Sequence, residues 1–285
     1  KQMKFKIKAK IFLLYSTTIS LCLSLFDWAK YKTAKGAVKM HTLLDYDGNL
    51  PAYVNITDGK TADNKGASDI PIHKGSVIVA DRFYNDFSLL KVWDSNKVFF
   101  VIRHKENLQC IKIKENDLPD NRYEHILIDE IIELKNNSSK EKYTNRLIRI
   151  AVWDQKNQQT IELITNQMSW IANTIGELYR SRWQIEIFFR EIKQLLKIKT
   201  FIGTSQNSVM IQIWTALITI LILKFLKTMA KFKWHLSNLV AFIRLNIFVK
   251  IDLQNWLDNP FEEPPSITPS SSIQGSSFEL QKIPP

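Results

Sequence analysis

The sequence predicts an α/β protein built on a sheet of mixed strand direction. Three observations carry that expectation. Short apolar runs bounded by turn residues recur through the first hundred positions. Hairpin-linked strands are followed by a strand–helix–strand order, and from residue 166 the apolar spacing turns helical. The 285 residues are 45% hydrophobic and 11% aromatic, with only 8 Gly and 9 Pro, a composition that supports a sizeable core and excludes a disordered chain.

Taken in order, "IFLLYSTTISL" (11–21) has a buried-strand composition and reads as a strand ending at Tyr15. "VKMHTLL" and "PAYVNIT" flank "DYDGNL", whose Asp47-Gly48 pair is a hairpin signal. "GSVIVAD" (75–81) is a short inner strand closing on an acid. "FSLLKVWDSN" reads as helix and "KVFFVIRH" as the next strand. Residues 105–165 form a β-rich insertion, with "KNNSSKEK" as a loop and "RLIRIAVWDQKNQQTIELIT" as a hairpin turning at "DQKN". "ANTIGELYRSRWQIEIFFREIKQLLKIK" reads as one helix, and more helix follows. The Pro- and Ser-rich end is expected to be disordered. The expected organisation is therefore a first core part at 1–104, the insertion at 105–165, a helical part at 166–258 and a tail at 259–285.

The net charge of +11 points to a polyanionic partner, nucleic acid or a membrane surface, or serves solubility alone. Cys22 and Cys110 stand too far apart for a disulfide framework, which fits a reducing compartment. The five histidines show no ligand spacing, so no zinc site is expected. A basic, apolar start imitates a signal peptide but is split by "YSTTIS". The apolar run "VMIQIWTALITILIL" (209–223) is shorter than the roughly 20 residues a span needs, so it reads as a buried core helix and no membrane partner is expected. The chain opens on Lys and is expected to be an N-terminally trimmed fragment.

The residues that carry chemistry lie on the long helix. With Tyr179 at zero and about 100° per residue, Arg182 falls at about 300°, Glu186 at about 340°, Arg190 at about 20° and Lys193 at about 320°. Ile185, Phe188, Ile192 and Leu196 take the opposite side. Arg180, Arg182, Arg190, Lys193, Lys197 and Lys199 outnumber Glu186 and Glu191. One reading is a solvated face stitched by Glu–Arg and Glu–Lys pairs. The other is a carboxylate held ionised by cations, able to ligate a divalent ion while its neighbours grip phosphate oxygens.

The spacing Tyr179, two residues, Arg182, three residues, Glu186, six residues, Lys193 resembles the signature of the DDE transposases of bacterial insertion sequences, in the insertion-sequence-four branch. "TAKGAVKMHTLLDYDGNLPAYVNITDGK", "IVADRFYNDF" and "SQNSVMIQIWTALITILILKFL" are similar to the same family, and the likeness runs from residue 11 to 258. It implies a ribonuclease-H-like mixed sheet, a β-rich insertion before the last catalytic helix, and a helical C-terminal part. It also implies three carboxylates that bind two Mg²⁺ ions. Asp81 matches the second and Glu186 the third, while Tyr15 stands at the first.

The implied reaction is DNA strand cleavage by water, then transfer by the freed 3′-hydroxyl, at insertion-sequence ends. Tyr179, Arg182 and Lys193 are the implied phosphate contacts, and Arg190 joins them on the same face. The implied partners are double-stranded DNA, as terminal inverted repeats and target, and a second copy in a synaptic homodimer. The implied setting is the bacterial cytoplasm at the nucleoid. The resemblance also implies, for most relatives, a further N-terminal region that recognises the repeats, and this sequence is expected to lack it.

Tyrosine substitutes poorly for the first acid. Its phenol, of reference pKa about 10, is neutral at pH 7 and offers one weak oxygen. Impaired cleavage, or an inactive remnant that occupies element ends or inhibits intact enzyme, is the expectation. Asp27 is the nearest spare acid. Lys30, Lys32, Lys35 and Lys39 either add backbone affinity or form a solvated loop. Trp153, near the hairpin tip, either stacks on an extruded base or belongs to the core.

Overall fold

The computed structural model describes residues 7–22, 24–32, 35–104, 108–118, 125–195 and 201–261. The side chains of Lys30, Lys32, Lys35, Leu196, Lys197 and Lys199, and the tail from residue 262, lie outside the described residues. Strand β1 (Ile11–Leu21) is the pivot of the sheet. It pairs antiparallel with β3 (Lys35–Asp45), which in turn pairs with β4 (Leu50–Asp58) and the short β2 (Lys30–Lys32). On its other edge β1 runs parallel to β5 (Val77–Ala80), and β5 parallel to β6 (Phe99–Arg103). An antiparallel set on one side of the first strand and a parallel pair on the other is the ribonuclease-H-like arrangement.

The segment expected as an insertion continues the same sheet. Strand β10 (Gln159–Thr165) pairs with β6, and β9 (Leu147–Asp154), β8 (Ile126–Leu134) and β7 (Cys110–Glu115) follow outward. All four residues of β5 are buried, as a parallel inner strand covered on both faces requires. The β3–β4 turn falls where expected, but Asn49, not Gly48, takes the left-handed φ of 51°. Asn adopts that region because its short side chain bonds locally. At the β9–β10 turn, Gln158 does the same.

Even-numbered residues of β1, Phe12 and Leu14, join a core with Leu43, Ile78, Leu90, Trp93 and Phe100. Helices α1 (Asp63–Ala67) and α2 (Phe87–Ser95) supply its cover. The Asp86 carboxylate caps α2 by accepting from the Ser88 and Leu89 N–H groups, which would otherwise lack partners. "KNNSSKEK", expected as a loop, contains the short helix α3 (Asn137–Lys142), capped by Asn136. Capping outweighs the poor helix propensity of Asn and Ser there.

Helices α4 (Ala172–Ser181) and α5 (Trp183–Leu195) follow β10. The sequence expects one helix here; the structure breaks it at Arg182. There the Arg182 N–H donates to the Tyr179 carbonyl at 3.1 Å and the Ile185 N–H to the Arg182 carbonyl at 3.1 Å, a tightened turn between the two. Ile185, Phe188 and Ile192 are buried, as the helical wheel requires.

Helix α6 (Gln206–Met229) exceeds its 15-residue apolar run, and is long and apolar enough to cross a membrane by length and composition. The expectation of a buried core helix needs correction. Val209, Ile213, Leu217 and Ile220 are buried, but Ile211, Trp214 and Ile218 are exposed, because the apolar residues occupy more of the circumference than the protein covers. The chain forms two compact units, Lys1–Leu221 and Ile222–Pro285. The second contains α7 (Leu236–Asn246) and α8 (Leu253–Asp258) around Trp234, Leu239 and Leu257, with the Trp234 indole N–H donating to the Leu257 carbonyl at 2.8 Å.

Candidate active site

The parallel register of β1 and β5 sets Leu14 beside Ala80, so Tyr15 stands level with Asp81, the first residue past β5. Tyr15 is not at a strand end as expected; β1 continues to Leu21, because Ser16 to Leu21 still find partners on β3. At Asp81 the β5 strand stops, and the carboxylate accepts from the Phe83 N–H at 3.4 Å to begin a 3-10 turn. Glu186 lies in the first turn of α5.

The Tyr15 phenol senses both acids. Burial raises its pKa above the ordinary tyrosine value, Asp81 and Glu186 raise it further, and Arg182 opposes them. Asp81, level with Tyr15 just past β5, and Glu186 on α5 thus both lie within electrostatic reach of the Tyr15 phenol. The α4–α5 break brings Arg182 into the same place. Its Nη1 lies 2.6 Å from Glu186 Oε1, and its guanidinium carbon is 5.4 Å from the Tyr15 ring centroid and 5.6 Å from that of Tyr179. Burial works against the Arg182 charge, but Tyr179, Glu186 and Asp81 outweigh it, and its pKa is raised. Phe189 closes the far side, its ring centroid 6.1 Å from that of Tyr15.

Lys193 reaches back to β1, donating to Thr17 Oγ1 at 2.5 Å and the Thr18 carbonyl at 3.0 Å. It lines a cavity of about 750 Å³ with Tyr15, Thr17, Lys39, Asp63 and Tyr84. Lys39 is committed within the protein, 3.2 Å from Asp63 and donating to the Thr61 carbonyl at 2.7 Å. The expectation of a loop lysine set for backbone affinity fails at Lys39, because β3 carries it into that ion pair. Asp27 is exposed on a 3-10 turn beyond β1 and does not join the site. Arg190 is exposed on α5, apart from the cluster formed by Tyr15, Arg182 and Glu186.

A second cavity, of about 920 Å³, opens between the β9–β10 hairpin and α4–α5. Arg103, Trp153, Lys156, Tyr179, Arg180 and Trp183 are among its walls, and Arg182 lines it too. Trp153 is half-buried there rather than packed in the core. Trp183 is 53% exposed, with Lys156 Nζ 5.9 Å from its ring. Sequence reading missed Trp183. The available signal was a large aromatic ring directly after the signature arginine.

A centre for two divalent ions wants three carboxylates. Around Tyr15 stand Asp81, Glu186 and Asp63, but Asp63 is paired with Lys39 and a guanidinium already sits on Glu186. Among the described residues no three His, Cys, Asp or Glu side chains gather in a cation-binding group. The residues present do not fit a two-cation centre.

The strand order defines the class as a ribonuclease-H-like domain of the DDE transposase type. Residues 7–222 match the transposase DDE domain family, and the chain belongs to it. Domains of this family typically work with divalent metal ions. The chain is similar to a "putative transposase" of Sinorhizobium fredii, 29% identical over 92% of this chain and 72% of that protein. It is also similar to a "probable transposase" for an insertion sequence element of Geobacillus stearothermophilus, 28% identical over 80% of this chain and 60% of that protein. A third relative, a "putative transposase" for an insertion sequence element of Synechocystis, is 25% identical over 87% of this chain and 69% of its own length.

Proposed function

We propose that the protein is a DNA transposase of an insertion sequence, whose Mg²⁺-dependent strand cleavage and transfer at element ends is impaired by Tyr15. The observation that supports this reading is geometric: Tyr15 stands level with Asp81 on the neighbouring strand, and Arg182 links the Tyr15 ring to Glu186. Those acids are the second and third of the set, and the phenol occupies the place of the first. The two Mg²⁺ ions of the resemblance lack their third carboxylate, so this chain's residues serve chiefly to hold DNA.

Lys193, Tyr179 and the open edge of Arg182 suit phosphate oxygens beside the scissile bond, and Arg190 extends the basic path along α5. Trp153 offers a ring face to a base in the cleft that Arg103 and Arg180 line. Double-stranded DNA, as terminal repeats and target, is the partner, with a homodimer bringing two ends together at the nucleoid in the cytoplasm.

A second reading is an inactive remnant that occupies element ends or inhibits intact transposase. The Arg182–Glu186 pair favours it, because a committed Glu186 needs no metal. The experiment compares this protein with Tyr15→Asp for Mg²⁺-dependent nicking of element-end DNA. At least a hundredfold more nicking by Tyr15→Asp is expected. Equal rates overturn the impairment, while DNA retention without nicking by either protein selects the remnant.

A further inference from the structure

We propose that Arg182 is a built-in cation of the centre: held between the Tyr15 and Tyr179 rings and paired with Glu186, it takes the neutralising place of divalent ions, so the site binds DNA without taking up metal. The inference deepens the reading above and rests on Tyr15 standing at the first acid position. Three separate contacts support it. The ion pair to Glu186 is 2.6 Å, and the guanidinium carbon lies within 5.6 Å of both ring centroids. A planar, weakly hydrated cation between two aromatic faces and a carboxylate is a stable arrangement that an ammonium or a hydrated metal ion would not reproduce.

Position in the chain makes the arrangement possible. Arg182 is the residue at which α4 gives way to α5, and its side chain is 16% exposed. The Tyr15 ring supplies one wall. An aspartate there would be too short to touch the guanidinium by its face and would add a negative charge beside Asp81 and Glu186. Tyrosine thus does two things together: it withdraws a metal ligand and it anchors a substitute cation. The remaining edge of Arg182 lines the cleft with Arg103 and Arg180, so DNA meets a basic surface whose charge needs no added ion.

The test is Mn²⁺ uptake, followed by electron paramagnetic resonance on the purified full chain without DNA, in the wild type, Tyr15→Asp, Arg182→Met and Asp81→Asn. Circular dichroism confirms that each variant keeps its native spectrum. The wild type is expected to hold no Mn²⁺ that Asp81→Asn removes. Tyr15→Asp and Arg182→Met are each expected to bind Mn²⁺ at least tenfold more tightly, since one gains a carboxylate and the other frees Glu186. A gain in folded Arg182→Met supports the inference. Wild-type uptake that Asp81→Asn abolishes overturns it, as does a gain confined to Tyr15→Asp or no gain in either variant. Gel shifts of element-end DNA with EDTA or Mg²⁺ form the second arm. Equal retention in the two is expected, and retention only with Mg²⁺ overturns the inference. Failure to bind DNA under either condition overturns the DNA-binding half of the inference together with the transposase reading, while the Mn²⁺ arm still decides whether Arg182 keeps metal out.

Discussion

Replacing Arg149 with methionine isolates a charged cluster that ties three strands of the outer sheet together. Arg149 on β9 donates from Nη1 to Glu130 of β8 at 2.8 Å, and from Nε and Nη2 to Glu162 of β10 at 3.1 and 2.9 Å. The Glu130 side chain is 9% exposed and that of Glu162 is 32% exposed. Arg149→Met keeps the volume but leaves Glu130 buried without its cation. Removing one partner of a buried ion pair costs about 3–5 kcal/mol, and the partial exposure of Glu162 places this case near about 3 kcal/mol. At about 2–4 °C per kcal/mol for a unit of this size, the melting temperature falls by about 6–12 °C. Thermal unfolding at pH 7, followed by circular dichroism, reads the shift. Replacing Glu130 and Glu162 with leucine in the same variant should restore more than half of the loss, because an apolar triad has no charge to desolvate. A single-variant loss under about 1 kcal/mol refutes the reasoning, since it means that water already reaches Glu130.

Two further outcomes follow from the packing behind β1. A Cβ at Gly66 would stand 2.3 Å from Cε1 of the fully buried His41 ring, so Gly66→Ala should cost about 1–3 kcal/mol in a urea melt, and a neutral result would show that the ring moves freely. Burial lowers the His41 pKa to about 4, against about 6.5 in the unfolded chain. The unfolded state therefore takes up the proton first, and stability present above pH 6.5 is lost as the pH falls towards 4, by up to about 3 kcal/mol. Asp63 and Lys39 face the ring with opposing effects. His41→Asn should flatten that acid limb of the melting profile, and an unchanged slope assigns it to other groups.

Much of the fold was legible because its signals are local. The buried run Val77–Ala80 ends on Asp81, and the apolar composition of Ile11–Leu14 marks a strand although it alternates poorly. Asp81 and Glu186 could be named through the family resemblance, on "IVADRFYNDF" and on the spacing of Tyr179, Arg182, Glu186 and Lys193. What escaped depends on partners distant in sequence. Tyr15 looked like a strand end because the residues after it are polar, yet Thr17 and Thr18 are retained by β3 and by Lys193 of α5. The helix break at Arg182 has no Pro or Gly to announce it and is visible only once the arginine is seen among Tyr15, Tyr179 and Glu186. The exposed side of α6 escaped for a related reason. Its sequence is apolar all round, so periodicity could not say which residues would find cover.

The pairing of β1 with β5, and of β6 with β10, also sets the order in which the chain can be made. During synthesis β1, β3 and β4 can close their meander before β5 has left the ribosome, but one long edge of β1 stays bare until β5 arrives. The edge of β6, with Val101 and Ile102, waits longer still, because its neighbour comes only after β7, β8 and β9. Ladders closed over such separations form slowly, and open edges recruit other chains in the meantime. Nascent chains stalled before β10 are therefore the ones expected to aggregate, and recovery of soluble protein depends on how quickly that last strand is delivered.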